Sequence, residues 1–138
     1  MVPGNIDVYS LTVERYLKRE YTIELGYPID NLSIDSEGEI FAATFPRMYT
    51  IIENFLDHSI RTPTTVFKIS RDEERVKGEP KRQNVEAFQG DYIIEKVLED
   101  DGSVLSGSTT AVHDTKTGRI FLSGIIDPNV VVCQPRKV

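Results

Sequence analysis

The sequence predicts an all-β fold of antiparallel strands, and two features lead to that prediction. Apolar and polar residues alternate over short runs, which is the pattern of strands that bury one face. Turn-forming residues separate the runs, and three turns end at Gly38, Gly102 and Gly118, where glycine can adopt a positive φ and close a tight hairpin. Adjacent strands are therefore expected to pair as a meander of hairpins.

Nine strands are predicted in order along the chain, at residues 6–11, 19–25, 31–34, 40–45, 65–70, 92–99, 109–113, 119–124 and 129–133. Residues 49–60 carry apolar side chains at helical spacing before Pro63, so one short helix or an ordered loop is expected there. The segment 71–91 is dense in charges of both signs. It is predicted to be a charged insertion loop within a single domain, and not a linker between two domains.

An internal repeat groups these strands. LSIDSEGEIF at residues 32–41 resembles AVHDTKTGRIF at residues 111–121, because each has an aspartate, a turn with glycine and then Ile-Phe. Repeated four-stranded antiparallel meanders are typical of β-propeller blades, which surround a central channel. On that pattern, residues 31–99 supply four strands of one blade, residues 109–133 supply three strands of the next, and residues 6–25 supply the outer two strands of a preceding blade. The prediction is a partial propeller of about two to two and a half blades.

Composition narrows the classes of partner. With 22 acidic and 16 basic residues the net charge is −6, which gives no electrostatic reason to bind nucleic acid. No run approaches the roughly 20 apolar residues of a membrane-spanning helix, so no membrane span is expected. The stretch MVPGNIDVYSL lacks the basic start and apolar core of a secretory signal, and the compartment stays undetermined. Cys133 is the single cysteine, which excludes a disulfide within this sequence.

Three stretches of the chain resemble the paraoxonase/arylesterase family. They are IDNLSIDSEGEIFAATFP, PTTVFKIS and EKVLEDDGSVLSGSTTAVHDTKTGRIFLSGIIDPNVVVCQP, in the order of that family's C-terminal segments. The family belongs to the calcium-dependent six-bladed propellers that include relatives of gluconolactonase and strictosidine synthase. The resemblance implies that residues 1–138 are the C-terminal fragment of one propeller domain. It also implies a metal-binding hydrolase of lactones and aryl esters, of a family whose members often enter the secretory pathway.

The resemblance places calcium ligands of the family on Asp30 and Asn31. Ser33 and Asp35 fall in the same motif and are not assigned as ligands. The family's remaining ligands and its catalytic histidine pair lie upstream of the resembling segments. No catalytic residue is therefore assigned, and the chain alone is expected to be inactive.

The resemblance has consequences for three further positions. Phe45 stands where better-known members carry a histidine near the cavity wall, which would make that wall more apolar. Phe45 and Met48 are candidates for lining a cavity for the ester or lactone, with ordinary core positions as the alternative. Cys133 matches a cysteine that pairs with one near the family's N-terminus, so here it is the unpaired half of that disulfide.

The chemistry of the Asp30-Asn31 pair supports two interpretations. A carboxylate and an amide oxygen are hard ligands of the kind that Ca²⁺ takes, six to eight at a time. A calcium ion would polarise an ester carbonyl and stabilise the oxyanion that forms from it. Asp and Asn are also common before strands because they cap turns through their own backbone. The ligand interpretation is preferred only in the context of the family resemblance.

Other polar residues are weaker candidates for a catalytic or binding role. His58 is expected in a surface loop. His113 and Asp114 could form a pair on paper, but neighbours on a strand point to opposite faces. A run of hydroxyl side chains could line a cavity mouth or satisfy backbone groups, with no base nearby to create a nucleophile. That run is Ser106, Ser108, Thr109 and Thr110.

A second function, from a different class, fits the same sequence. The chain could be a non-catalytic interaction module that meets a partner through exposed sheet edges or through the 71–91 loop. Unpaired strand edges promote association, so self-association through open sheet edges is expected when the chain is made alone.

Overall fold

The computed structural model describes residues 4–72 and 85–136, with the backbone only for residues 85–88. Its elements are β1 (Asn5–Leu11), β2 (Leu17–Glu24), β3 (Ile29–Ile34), β4 (Ile40–Thr44), α1 (Tyr49–Leu56), β5 (Thr64–Arg71), β6 (Val85–Gln89), β7 (Tyr92–Asp100), β8 (Ser108–His113), β9 (Ile120–Gly124) and β10 (Val131–Cys133). The predicted all-β class with antiparallel pairing is confirmed. No helix in the described part of the chain is long and apolar enough to cross a bilayer.

The strands form three separate antiparallel sheets. β1 and β2 form a hairpin, β8, β9 and β10 form a three-stranded meander, and a central sheet has the order β3-β4-β5-β7-β6. Each of the nine predicted strands is present, and no strand end differs from its predicted position by more than two residues. The allowed helix is also present, but it ends at Leu56 and not at residue 60.

The predicted insertion at residues 71–91 needs a correction. β5 continues to Arg71, and β6 lies inside the predicted loop, where it pairs with β7 at the edge of the central sheet. Residues 73–84 lie outside the described residues. β6 has only five residues and directly follows a run of charges, so its few apolar residues do not stand out from the charged segment around them.

The central sheet buries a different core on each face. Successive residues of a strand point to opposite faces, and on β4 the neighbours Phe41 and Ala42 belong to different cores. The core shared with the β1–β2 hairpin contains Ile6, Ile23, Leu25, Ala42, Phe67, Ile69 and Ile94. The core shared with the β8–β10 sheet contains Phe41, Val66, Leu105, Ala111 and Leu122. The three sheets are thus stacked face to face, with the five-stranded sheet in the middle.

The two repeated hairpins lie side by side. Hydrogen bonds link β3 and its turn to β8 and its turn, through Asn31 to Thr110 (3.1 Å), Ser33 to Ala111 (2.5 Å), Asp35 to His113 (2.8 Å) and Ser36 to Thr115 (2.5 Å). Residue numbers rise together along the two strands, so β3 and β8 run in the same direction. They belong to different sheets, so side chains join them and no backbone ladder does.

Candidate functional site

The Asp30-Asn31 pair lies at a register break at the start of β3. Ile29 pairs with Thr44 and Leu32 pairs with Ala42, so β3 contains one more residue than β4 over this span. Such a bulge removes residues from the regular ladder and redirects side chains, and it is a common device next to functional sites. Asp30 and Asn31 are both exposed. The bulge therefore presents two adjacent oxygen-bearing side chains to solvent at one end of the strand.

The contacts of this pair leave their oxygen atoms available. The Asn31 amide nitrogen donates to the Thr110 hydroxyl across the seam between β3 and β8. That bond orients the amide, whose oxygen accepts no hydrogen bond from the residues that the structure describes. The Asp30 carboxylate makes no hydrogen bond or ion pair with any residue that the structure describes. Neither side chain accepts a backbone N–H among these residues, so the turn-capping interpretation lacks the hydrogen bonds that it requires.

The side-chain oxygens of Asp30 and Asn31 are of the type that a hard cation binds, but they are too few to complete its coordination. Calcium prefers carboxylate and amide oxygens, and the pair supplies one of each. Six to eight oxygens complete its coordination, so further ligands would have to join Asp30 and Asn31. Within the described residues, no group of three acidic, histidine or cysteine side chains includes Asp30.

A cleft opens at the same end of the central sheet as Asp30, the end where β3 and β5 begin and β4 and β7 finish. Its volume is about 380 Å³. Its lining residues are Pro46, Arg47, Arg61, Pro63, Thr64, Thr65, Glu99, Asp100 and Asp101. The predicted cavity residues flank this lining in sequence and are not part of it. Phe45 is buried, and its N–H donates to the Pro28 carbonyl (3.0 Å), whereas Met48 is half exposed.

A histidine–aspartate pair lies at the other end of β3, where the β3–β4 turn begins. His113 Nδ1 is 2.8 Å from Asp35 Oδ2, and the Asp35 side chain has no solvent exposure. Asp35 Oδ1 accepts the backbone N–H groups of Glu37 and Glu39, both at 2.9 Å. The His113 ring stacks on Phe41, with ring centroids 4.8 Å apart. The pair therefore clamps the two repeats together.

Two opposing effects set the pKa of Asp35. Burial favours the neutral acid and raises the pKa, but the hydrogen bonds from His113, Glu39 and Glu37 favour the carboxylate. The hydrogen bonds outweigh burial, so the pKa of Asp35 lies below its ordinary value. The neighbour of His113 has a different role, since Asp114 accepts the Thr117 hydroxyl at 2.6 Å inside its own turn. The expectation that His113 and Asp114 do not pair agrees with these contacts.

Three carboxylates gather around the β3–β4 turn and could hold a cation. The ligand atoms of Asp35, Glu37 and Glu39 all lie within 4.8 Å of one another. Two of these side chains already have partners, since Asp35 is bound as described and Glu39 accepts the Ser70 hydroxyl at 3.1 Å. Lys68 also lies 3.7 Å from Glu39. This cluster is at the opposite end of β3 from Asp30, so the two sets of oxygens cannot share one ion.

The hydroxyl run at 106–110 satisfies backbone groups. Ser106 Oγ accepts the Thr62 N–H (2.9 Å), and the Ser108 hydroxyl donates to the carbonyl oxygens of Thr110 (3.0 Å) and Ser123 (3.2 Å). Both serines are completely buried. Of the two roles expected for this run, these contacts support the satisfaction of backbone groups.

An ion pair that the sequence does not reveal anchors the same region. Both terminal nitrogens of Arg61 donate to the Asp127 carboxylate, at 3.2 and 2.6 Å. Asp127 Oδ2 also accepts the Ser106 N–H at 2.8 Å. That backbone hydrogen bond, followed by those from Arg61, outweighs burial and lowers the pKa of Asp127. The pair ties the segment before β5 to the segment after β9.

Two other predicted positions have simple environments. Cys133 is a half-buried free thiol on β10. Burial, followed by the negative charge of Asp100, raises the pKa of this thiol, which disfavours the reactive thiolate. His58 is exposed in the loop after α1, as expected.

No family model matches the chain, and no curated protein matches it.

Proposed function

We propose that this chain supplies the C-terminal part of a calcium-dependent hydrolase of lactones and aryl esters, similar to the paraoxonase/arylesterase family. Asp30 and Asn31 are two of its calcium ligands. The observation that carries the proposal is the bulge at the start of β3, which exposes a free carboxylate next to an amide oriented by Thr110.

The stacking of the sheets supports a propeller arrangement. In a propeller, each blade packs face to face on the next, and the first strands of successive blades run side by side around the channel. The central sheet packs on a neighbouring sheet through each face. β3 and β8 are the first strands of successive meanders, and they run in the same direction. On this arrangement Asp30 and Asn31 lie at the channel end of the seam between two blades.

The chemistry of the proposed site follows from its ligands. A calcium ion at this point would polarise the carbonyl of an ester or lactone and stabilise the developing oxyanion. Asp30 contributes the negative charge that holds the ion, and Thr110 holds the Asn31 amide so that its oxygen can bind. Two oxygens are too few for tight binding, so the isolated chain is expected to bind calcium weakly and to hydrolyse nothing.

Calcium titration followed by amide NMR spectra tests the proposed ligands, because NMR detects binding even when affinity is weak. Calcium at millimolar concentrations is expected to shift amide signals around residues 29–32 and Thr110. The Asp30→Asn substitution should remove these shifts, since it removes the only free carboxylate of the pair. Glu37→Gln, in the acidic cluster at the far end of β3, is the matched control and should retain them.

Two results would contradict the proposal. One is the absence of calcium-dependent shifts near Asp30 in the unaltered chain. The other is a set of shifts that survives Asp30→Asn and disappears in Glu37→Gln, which would place the ion at the Asp35-Glu37-Glu39 cluster.

The non-catalytic interaction module is a second candidate, and one feature favours it. Large apolar side chains are exposed around the turn of the β1–β2 hairpin, at Leu11, Val13, Tyr16 and Leu17. Exposed apolar groups that lie together often mark a surface for a partner. Association of the chain without any calcium response would favour the module over the hydrolase.

A further inference from the structure

The cleft at the end of the central sheet lies across three neighbouring strands. Thr64 and Thr65, at the start of β5, line its middle. Arg47 follows β4 and Asp101 follows β7, and these residues line the cleft on the two sides of β5. Neighbouring strands are about 4.8 Å apart, so the ends of β4 and β7 are separated by roughly 10 Å. The cleft therefore has a floor on β5, one side after β4 and the other side after β7.

The β4 side of the cleft carries an unpaired positive charge. The Arg47 side chain is exposed and makes no hydrogen bond or ion pair with any residue that the structure describes. The second arginine of the lining is already bound, because Arg61 donates to the Asp127 carboxylate and to the Gly102 carbonyl. Arg47 is thus the arginine of the cleft to which a ligand carboxylate can bind, through hydrogen bonds that charge makes strong.

The β7 side of the cleft carries negative charge. Asp101 Oδ1 accepts the Ser103 N–H at 2.8 Å, and Asp100 Oδ2 accepts the Leu105 N–H at 3.0 Å. Neither carboxylate forms an ion pair with a described residue. A carboxylate can accept about four hydrogen bonds, so both aspartates keep acceptor sites for an ammonium group.

Charges of opposite sign therefore face each other across the cleft without contact. Arg47 forms no ion pair with Asp100 or Asp101, although all three residues line the cleft. The remaining acid of the lining, Glu99, is paired with Lys96 at 3.0 Å. A ligand with only a negative charge would be repelled by the two aspartates, and a ligand with only a positive charge would be repelled by Arg47. A ligand that carries both charges is complementary to both sides.

The floor of the cleft offers a buried hydroxyl that has no partner. Thr65 is 2% exposed, and its hydroxyl makes no hydrogen bond with any described residue. In the described part of the chain, the unpartnered side-chain atoms that are closed off from solvent are Asn54 Oδ1 and Thr62 Oγ1. The Thr65 hydroxyl therefore reaches solvent, and the cleft is the opening that Thr65 lines. Buried polar groups are normally hydrogen-bonded, and a ligand in the cleft would supply the missing bond.

From these observations we propose that the cleft is a binding site for a small zwitterion, a molecule with an ammonium group and a carboxylate, such as an amino acid or a dipeptide. Arg47 binds the carboxylate, and Asp100 and Asp101 bind the ammonium group. The Thr65 hydroxyl bonds to a polar group between them. The proposal does not depend on the calcium site, because none of these residues belongs to the proposed calcium ligands.

The size and the apolar lining of the cleft suit such a ligand. Its volume of about 380 Å³ lies within the range of small-molecule sites, about 300–1,000 Å³. Pro46 and Pro63 line it beside the charged groups, and their rings offer apolar surface to the side chain of an amino acid. Arg47 and Asp101 are exposed, and exposed ion pairs each contribute little, so dissociation in the millimolar range is expected.

Amide NMR titrations with three related compounds test which charges the site requires. L-Phenylalanine carries both groups, 3-phenylpropanoate lacks the ammonium group, and 2-phenylethylamine lacks the carboxylate. L-Phenylalanine should shift the amide signals of Arg47, Thr64, Thr65 and Asp101 and should leave those of the β8–β9 turn unchanged. Each compound with a single charge should bind about threefold to tenfold more weakly, because it loses one charge-assisted bond and meets one repulsive side.

Substitutions on the two sides should change these preferences separately. Arg47→Gln should bind L-phenylalanine about threefold to tenfold more weakly and no better than 2-phenylethylamine, because the partner of the carboxylate is gone. Asp101→Asn keeps a side-chain oxygen that can accept the Ser103 N–H and should reduce the preference over 3-phenylpropanoate. Arg119→Gln is the matched control. It removes the same charge from an exposed side chain beside the β8–β9 turn, at the far end of the fold, and should leave the affinities unchanged.

Three results would overturn the proposal. The first is the absence of shifts at the cleft amides up to the solubility limit of L-phenylalanine. The second is a compound with a single charge that binds as tightly as L-phenylalanine, which would mean that one side of the cleft does not contribute. The third is equal weakening by Arg47→Gln and Arg119→Gln, which would assign the effect to the net charge of the chain and not to the cleft.

Discussion

Asp35 and Asp114 occupy equivalent positions in the two repeats, yet their surroundings differ. Each accepts hydrogen bonds within its own turn. Only Asp35 is also bound by a side chain from the other repeat, His113, and only its side chain is completely enclosed. The difference arises because β8 covers the β3 side of the seam, while the Asp114 turn lies at the surface. The aspartate of the repeated motif therefore organises its own turn in both copies, and in the first copy it also joins the two repeats.

The depressed pKa of Asp35 makes stability depend on pH. In the folded chain its pKa lies below the value of about 3.9 that it has when unfolded. The contribution of Asp35 to stability is therefore complete above that unfolded value, and it is lost as the pH falls through the lower folded pKa. Asp35→Asn should lower the free energy of unfolding near pH 7 by about 1–2 kcal/mol, and the difference from the unaltered chain should shrink below about pH 4. Urea unfolding from pH 3 to 7 measures this.

Asp114→Asn is the control for that measurement, since it alters the equivalent turn without affecting the cross-repeat bond. It should cost less stability than Asp35→Asn at neutral pH. Equal losses in the two variants would show that the His113 contact adds nothing to the turn.

At the residue scale, the sequence reveals local chemistry better than distant pairing. The Asp-turn-Gly motif predicts that Asp35 and Asp114 organise turns, because those contacts lie within a few residues. The His113–Asp35 pair joins residues 78 positions apart, and nothing in a single sequence marks such a distance. The Arg61–Asp127 pair escaped prediction for the same reason, since its partners are 66 positions apart. The alternation of apolar residues predicts which face of a strand is buried, but not which strand covers it.

At the element scale, a comparison of two turns shows that glycine is required more strictly at some turns than at others. Gly38 and Gly102 both have a positive φ, +83° and +97°. A Cβ at Gly38 would meet nothing, whereas at Gly102 it would lie 2.8 Å from the Thr62 carbonyl oxygen. Arg61 also donates to the Gly102 carbonyl at 2.8 Å. The turn after β7 is therefore packed against the segment that leads into β5.

Alanine at these two positions should have different costs. Gly38→Ala introduces backbone strain alone and should destabilise the chain by about 1 kcal/mol. Gly102→Ala adds a clash with backbone atoms of Thr62, which cannot move without displacing Arg61, so a loss of about 2–4 kcal/mol is expected. Urea unfolding of the two variants at neutral pH measures the difference. Equal urea unfolding midpoints for the two variants would mean that the segment around Thr62 moves away from the new Cβ without a loss of stability.

Most elements could be predicted because their signals are local. Short runs rich in apolar residues are bounded by turn-forming residues, so β1 to β5 and β7 to β10 are recognisable from sequence. β6 is not, because it is a short edge strand inside a charged segment. The apolar spacing at 49–60 indicated α1, but it could not reveal that the buried residues of the helix are Thr50 and Asn54. Periodicity defines a face of a helix and does not state whether that face is buried.

At the scale of the whole molecule, the central sheet couples two cores that do not touch. Phe67, on β5, packs in the core shared with the β1–β2 hairpin, and its ring lies 6.1 Å from that of Tyr27. Phe41, on β4, packs in the core shared with the β8–β10 sheet and stacks on His113. The repeat predicted that similar hairpins would be neighbours. The order of the three layers had to come from three-dimensional packing, because the nearly continuous burial of β4 and β5 does not say which sheet covers each face.

Replacing each phenylalanine by leucine should loosen one layer and not the other. Each substitution removes part of a buried ring and should cost about 1–2 kcal/mol of the free energy of unfolding. Because opening can occur in separate structural units, Phe67→Leu should speed amide hydrogen exchange mainly in β1 and β2, and Phe41→Leu mainly in β8 and β9. Native-state hydrogen exchange followed by mass spectrometry measures both patterns, with urea unfolding to confirm that the variants lose similar stability. Identical patterns would mean that the three sheets open only together, as expected of one cooperative core and not of layers that pack through separate faces.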